Sequence, residues 1–192
     1  MAIEKEALRK MILEGTIEVY GEKGVRFTMD DLARHLSMSK KTIYTVFREK
    51  NDLLLDLVDY MFDSIKRCER AILEDTSLST LEKIRKLLGV IPDNYENVDF
   101  SQLSVLKDKY PTIYHRVQYR LEHDWEDTIR LLEQGMEEGV IRPFKIPILK
   151  LMLEASLEQF FQQDVLKKNR MTYQQGLGEV VEILVNGITV KS

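Results

Sequence analysis

Residues 27–50 read FTMDDLARHLSMSKKTIYTVFREK, and the order of caps and apolar positions in that stretch decides the fold. Thr28 is a good N-cap, and Asp31 stands at the third helical position, where a carboxylate can reach back to the cap and meet the positive end of the helix dipole. The helix that starts there runs only to about His35, because Leu36, Ser37 and Met38 are followed by a second N-cap, Ser39. Ser39 heads a new helix with Ile43 on its apolar side and Val46 and Phe47 after it. Two short helices separated by a turn of a few residues form a helix-turn-helix, with Leu32, Ala33, Leu36, Met38 and Ile43 holding the pair at a steep angle. Facing outward from the second helix are Lys40, Lys41, Thr42, Tyr44 and Thr45. They supply cations for phosphates, hydroxyls for phosphates or base edges, and an aromatic body with a polar tip.

The charge balance supports a local site for a polyanion. The chain has 192 residues, 44% hydrophobic and 31% charged, with a formal net charge of −4, so it has material for a core but no overall basic signature. Residues 1–50 hold ten Lys/Arg against eight Asp/Glu, whereas residues 51–192 hold eighteen against twenty-four. The excess is concentrated in 26–50, where six cations meet three carboxylates. That stretch is the candidate phosphate-facing patch.

Four prolines and nine glycines separate segments with a helical period, and the chain reads as all-α. The first helix, roughly 2–20, places Ala7, Leu8, Met11, Ile12, Gly15 and Val19 on one face and stops within Gly21–Gly24. A long helix is expected over about 50–74, and another from the polar run at 76–80 through Leu81, Ile84, Leu87 and Leu88 to Pro92. A short helix over 99–110 is closed by Pro111, and from there one long helix is predicted to run to Gly139, with Tyr114, Val117, Leu121, Trp125, Thr128 and Leu132 on one face. The last two helices carry the stripes Leu149, Met152, Leu153, Ser156, Leu157, Phe160, Phe161 and Leu177, Val180, Val181, Leu184, Val185, Ile188. Stripes this wide suit either pairing with a second copy or packing inside the monomer, and periodicity does not choose between them. The candidate homodimer interface is Leu153, Leu157, Phe160, Val181, Leu184 and Ile188.

The run Thr28, Asp31, Leu32, Ala33, Ser39, Lys40, Thr42, Ile43, Tyr44, Phe47, Lys50 and Leu53 resembles the TetR-family signature in residue type, spacing and position behind one N-terminal helix. The resemblance implies an N-terminal three-helix DNA-binding unit, residues 1–50, followed by a larger helical effector-sensing and dimerisation domain of about nine helices, residues 51–192. It also implies an operator-binding homodimer, a repressor released by a small-molecule effector. Thr28, Ser39, Lys40, Lys41, Thr42, Tyr44, Thr45 and Lys50 are the DNA-binding candidates: Thr28 and Lys50 for phosphates, and the third helix for bases and phosphates. Three positions depart from the family pattern. Ser37 stands where glycine is usual, at a cost of about 1 kcal/mol if φ is positive there. Val46 replaces a His or aromatic residue, and Glu49 replaces a small polar cap.

Tyr114, Tyr119 and Trp125, with Tyr110, are candidates to line an effector cavity between the 81–88 helix and the 114–132 helix, although aromatics at helical spacing equally build plain core. His115 and His123 are about 80° apart around a helix, a poor metal pair, and no cofactor is expected. Cys68 is the single cysteine, so an intramolecular disulfide cannot form. Charges in the first six residues leave no signal-peptide pattern, and no apolar run approaches a membrane span. A cytoplasmic protein is expected. No nucleophile elbow, phosphate loop or paired-histidine motif marks an enzyme. The alternative reading is an all-helical adaptor that binds a partner protein through the C-terminal stripes without an effector.

Overall fold

The computed structural model describes residues 2–92, 95, 103–162 and 165–190. Among these the secondary structure is helical, apart from one isolated antiparallel bridge between Ile141 and Thr189. The helices are α1 (Ala2–Lys23), α2 (Met29–His35), α3 (Lys40–Tyr44), α4 (Lys50–Glu74), α5 (Thr80–Leu88), α6 (Leu103–Lys109), α7 (Pro111–His123), α8 (Glu126–Glu137), α9 (Ile146–Gln162), α10 (Val165–Lys168) and α11 (Tyr173–Ile188). A 3-10 turn, Gly24–Arg26, joins α1 to α2. The expected start of the helix before Pro111, residues 99–102, lies outside the described residues.

The chain divides into two compact units, the first of residues 1–63 and 97–117 and the second of residues 64–96 and 118–192. In the first, α1 buries Ile12, Leu13, Ile17, Val19 and Tyr20. The expected face is thus rotated: Met11 is half exposed, while Leu13 and Thr16 are fully buried. Thr16 can be buried because its hydroxyl donates to the Ile12 carbonyl at 2.6 Å. Gly15 is where α1 meets the turn after α2. A Cβ there would stand 2.4 Å from Leu36 Cδ2, so a larger residue would require the Leu36 side chain to shift.

The second unit is a bundle around Ile84, Leu87, Leu88, Leu131, Leu132, Ile141, Leu149, Leu153, Leu177, Val181, Leu184, Val185 and Ile188. Its helices are set by caps as well as by packing. Ser79 with Glu82 closes a capping box on α5, and Thr172 with Gln175 does the same on α11. Around the Ile141–Thr189 bridge, the Arg142 N–H donates to the Ile188 carbonyl at 2.7 Å and Val190 N–H to the Val140 carbonyl at 3.2 Å. These bonds hold the end of α11 against the segment before α9.

The predicted single helix from Pro111 to Gly139 is broken at Asp124 and Trp125, which separate α7 from α8. In a continuous helix the Leu121 carbonyl would accept the Trp125 backbone N–H. Here it accepts the Trp125 indole N–H at 2.7 Å. The Asp124 carbonyl accepts from Lys66 Nζ, and the Asp124 carboxylate accepts from Arg120 Nε at 2.7 Å. Side chains have taken over bonds that the helix would otherwise make.

The stripes of α9 and α11 are used within the chain. Leu153, Val181, Leu184 and Ile188 belong to the bundle core, Phe160 is buried with its ring 6.0 Å from that of Tyr173, and Leu157 is half-buried against the core. The Phe161 side chain lies outside the described residues. Met152, expected in the stripe, is exposed together with Ile148 and Leu151 on α9 and Ile183 on α11. These four are the exposed large apolar side chains of the two helices among the described residues.

Candidate nucleic-acid interface

The geometry of the recognition element follows from its caps. Thr28 Oγ1 accepts from the Asp31 N–H at 3.1 Å, and the Asp31 carboxylate accepts from the Thr28 N–H at 2.9 Å and from the Thr28 hydroxyl at 2.8 Å. Lys23 Nζ donates to the same carboxylate at 2.6 Å. The lysine, together with the Thr28 donors, holds the Asp31 carboxyl well below the usual carboxylate range. Thr28 is exposed, so its hydroxyl sits at the surface while fixing where α2 starts.

Backbone bonds close the turn into α3, among them Met38 N–H to the Ala33 carbonyl at 2.9 Å and Ser37 N–H to the Arg34 carbonyl at 3.2 Å. Ser37 adopts φ +52°, the left-handed conformation in which the absent glycine would be free of steric cost. Ser39 then caps α3: its Oγ accepts from the Thr42 N–H at 3.0 Å and lies 2.9 Å from Thr42 Oγ1. Ile43 is fully buried beneath α3, and Phe47 follows it into the core.

The sequence-derived DNA candidates are thereby sorted by what else each must do. Lys41, Tyr44 and Thr45 are exposed on α3 and at its end, with Tyr44 at 45% relative exposure, high for a large aromatic residue. The Thr45 hydroxyl donates to the Thr42 carbonyl at 2.6 Å, which leaves its lone pairs for an incoming donor. Ser39 and Thr42 are engaged with each other at the cap. Lys40 is exposed but pairs with Asp30 of α2 at 2.9 Å, and that hydrogen bond raises its pKa. Asp30 is absent from the sequence-derived set, because a pairing across the turn has no periodic signal.

Lys50, the first residue of α4, points inward. Its ammonium donates to the carbonyls of Val25, at 2.6 Å, and of Phe27, and lies 4.1 Å from the centre of the Phe27 ring. Burial lowers its pKa. Lys50 therefore ties the loop before α2 to the start of α4, a structural duty beside the phosphate contact expected of it.

The effector candidates are divided between the two units. Tyr114 is buried in the first unit, whereas in the second Tyr119 is 53% exposed and stacks on His123 with ring centroids 4.2 Å apart. Trp125 is half-buried, with Lys150 Nζ 5.5 Å from its ring centre. Where α5 meets α8 the packing is close: a Cβ on Gly135 would fall 2.8 Å from Ile84 Cδ1 and 3.2 Å from Ile141 Cδ1. Among the described residues, no helix is long and apolar enough to cross a membrane.

Comparison with known proteins places this head among transcriptional regulators. Residues 12–57 match the model of bacterial regulatory proteins, tetR family. The chain is 29% identical over 180 residues to YvaF, an uncharacterized HTH-type transcriptional regulator of Bacillus subtilis (strain 168), covering 94% of this chain and 95% of that protein. Its fold is similar to a TetR-family transcriptional regulator from Cytophaga hutchinsonii, with TM-score 0.74, 17% identity and 98% of each chain covered. It is also similar to the transcriptional regulator FadR of Bacillus subtilis in complex with stearoyl-CoA, with TM-score 0.63, 19% identity, 93% of this chain and 98% of that one covered.

Proposed function

Because residues 12–57 match the model of bacterial regulatory proteins, tetR family, we propose that this chain is a DNA-binding transcriptional regulator of that family, that it binds its operator as a homodimer and represses transcription there, and that it is released by a small-molecule effector. The observation that carries the reading is the exposed face of α3. Lys41, Tyr44 and Thr45 stand outward on a helix whose start is fixed by Ser39 and whose underside is anchored by Ile43. A short, rigidly capped helix with cationic and hydroxyl groups outward suits the major groove.

For the dimer, the exposed Ile148, Leu151, Met152 and Ile183 offer an apolar surface that a second copy would cover. Gly187, about 40° around α11 from Ile183, has open space before it, which permits two such helices to approach closely. These residues replace the buried members of the stripes as the proposed interface. Two recognition helices would then enter successive major grooves about 34–36 Å apart, so that a shift of a few ångströms breaks one set of base contacts. The structural neighbour FadR in complex with stearoyl-CoA supports a small-molecule effector for this chain, whose differential affinity for two dimer shapes would release the protein from DNA.

The test begins by recovering genomic DNA with the purified protein, sequencing it, and measuring affinity for the recovered duplex. Lys41→Ala and Tyr44→Ala should each weaken binding by about 1–3 kcal/mol with helicity intact. Wild-type affinity in both variants would remove α3 from the interface. Retention of protein partners with no salt-sensitive DNA binding would favour the adaptor reading instead. Leu151→Glu with Ile183→Glu should yield a folded monomer by light scattering.

A further inference from the structure

A cavity of about 470 Å³ opens in the first unit, lined by Val25, Arg26, Phe27, Thr28, Met29, Lys50, Lys109 and Tyr110. Three of these are cationic and none is a carboxylate. The cations come from three separate stretches: the 3-10 turn before α2, the start of α4 and the end of α6. Lys50 Nζ is held in place by the carbonyls of Val25 and Phe27 and by the Phe27 ring, with the Tyr110 ring centre 5.8 Å away. Lys109 is near enough that its charge depresses the Lys50 pKa, adding to burial, against the opposite pull of Asp31. Folding has thus brought three cations from separate stretches around one cleft, with the Asp31 carboxylate as a nearby counter-charge to Lys50, and a cleft lined by one sign of charge attracts ions of the other.

We propose that this cleft binds a phosphate group, with Lys109 and Arg26 as its charged contacts and Lys50 as the fixed charge beside them. Arg26, Thr28 and Lys109 are exposed and can meet a ligand at the mouth without rearranging the core. A tetrahedral oxyanion accepts hydrogen bonds from guanidinium and ammonium groups at once, and a cleft with no carboxylate lining repels cations rather than anions. The source that fits best is the operator backbone. Thr28 and Lys50 already belong to the candidate DNA-binding set, so the cleft extends the same surface to Lys109, remote from the helix-turn-helix in sequence. Only this choice of source rests on the operator-binding reading; the anion site stands on the cleft itself.

The experiment measures affinity for the recovered duplex across a range of salt concentrations, comparing the wild type with Lys109→Gln, Arg26→Gln and their combination. Lys107→Gln is the control, since Lys107 lies on the same helix with its ammonium 5.9 Å from the Tyr114 ring centre and does not line the cleft. Each DNA phosphate that a variant no longer neutralises should make the plot of log affinity against log salt shallower by about 0.9. A shallower slope in the cleft variants, with the control unchanged, supports the site with DNA as the source. In parallel, inorganic phosphate is titrated against chloride at matched ionic strength and the melting temperature followed. A rise for the wild type that Lys109→Gln abolishes, beside an unchanged DNA slope, supports the site with free phosphate as its source. Unchanged slopes and no phosphate-dependent rise overturn the proposal. Should the wild type bind no DNA at all, the operator reading fails, and the phosphate titration alone decides the cleft.

Discussion

The helix-turn-helix and the helical bundle are both built from helices, yet they hold their shapes by different means. In the head, α2 and α3 span seven and five residues, too short to persist alone. They are defined by side chains acting on nearby backbone: Thr28 with Asp31, Ser39 with Thr42, and the turn bonds through Ser37 and Met38. In the bundle, α9 and α11 span seventeen and sixteen residues, and their fixed points are buried leucines, valines and isoleucines distant in sequence. The difference teaches that the part which must present a precise outward face is set by short-range hydrogen bonds. The other part is set by packing between residues that become neighbours only after folding.

The largest expected effect breaks the bundle side of this contrast. Leu132 is fully buried, and Leu132→Ala should cost about 2–5 kcal/mol in urea unfolding. A loss below about 1 kcal/mol would mean that the bundle collapses around the gap and is less tightly packed than the close approach at Gly135 implies. Next come two matched caps. Ser39→Ala and Ser79→Ala each remove a hydroxyl that accepts from a third-position N–H, and each should cost about 1 kcal/mol of stability. Only Ser39→Ala should also weaken DNA binding, and equal effects on DNA from both would erase the distinction between the regions.

A smaller change sharpens the head. Ser37→Gly relieves the cost of φ +52° while giving freedom to the unfolded chain, and should gain about 0.5–1 kcal/mol by thermal unfolding. The subtlest effect is one of pH. Because the Asp31 carboxyl is depressed by Lys23 and by the Thr28 donors, its stabilisation is fully present above the ordinary value of 3.8 and is lost as pH falls through the lower folded value. The wild type should lose stability on acidification below about pH 4, and Asp31→Asn should flatten that part of the curve. An identical acid limb in both proteins would show that Asp31 does not couple the cap to pH.

The same contrast explains what could be read in advance. The starts of α2 and α3, the cap of α5 within the polar run 76–80 and the turn from α6 to α7 at Pro111 are local patterns, and they lie where the sequence places them. The outward set on α3 followed from those starts. The rotated face of α1 was not legible, because Leu13 and Thr16 are buried by neighbours that no window along α1 contains. The partner of the α9 and α11 stripes was equally hidden, since period alone does not say whether Leu153 and Val181 meet α5 and α8 or another chain. Lys109 joined the charged cleft from some sixty residues beyond Lys50, a proximity that only the fold creates.

The interruption at Trp125 has an electrostatic consequence. Splitting one rod into two creates an extra negative pole at the end of α7 and an extra positive pole at the start of α8. Arg120 lies in the last turn of α7, and Glu126 and Asp127 lie in the first turn of α8. In an unbroken helix these charges would sit at mid-length, where the dipole offers them nothing. At the break each faces the pole of opposite sign, so a basic residue followed closely by acidic ones within a helical period marks where this rod divides.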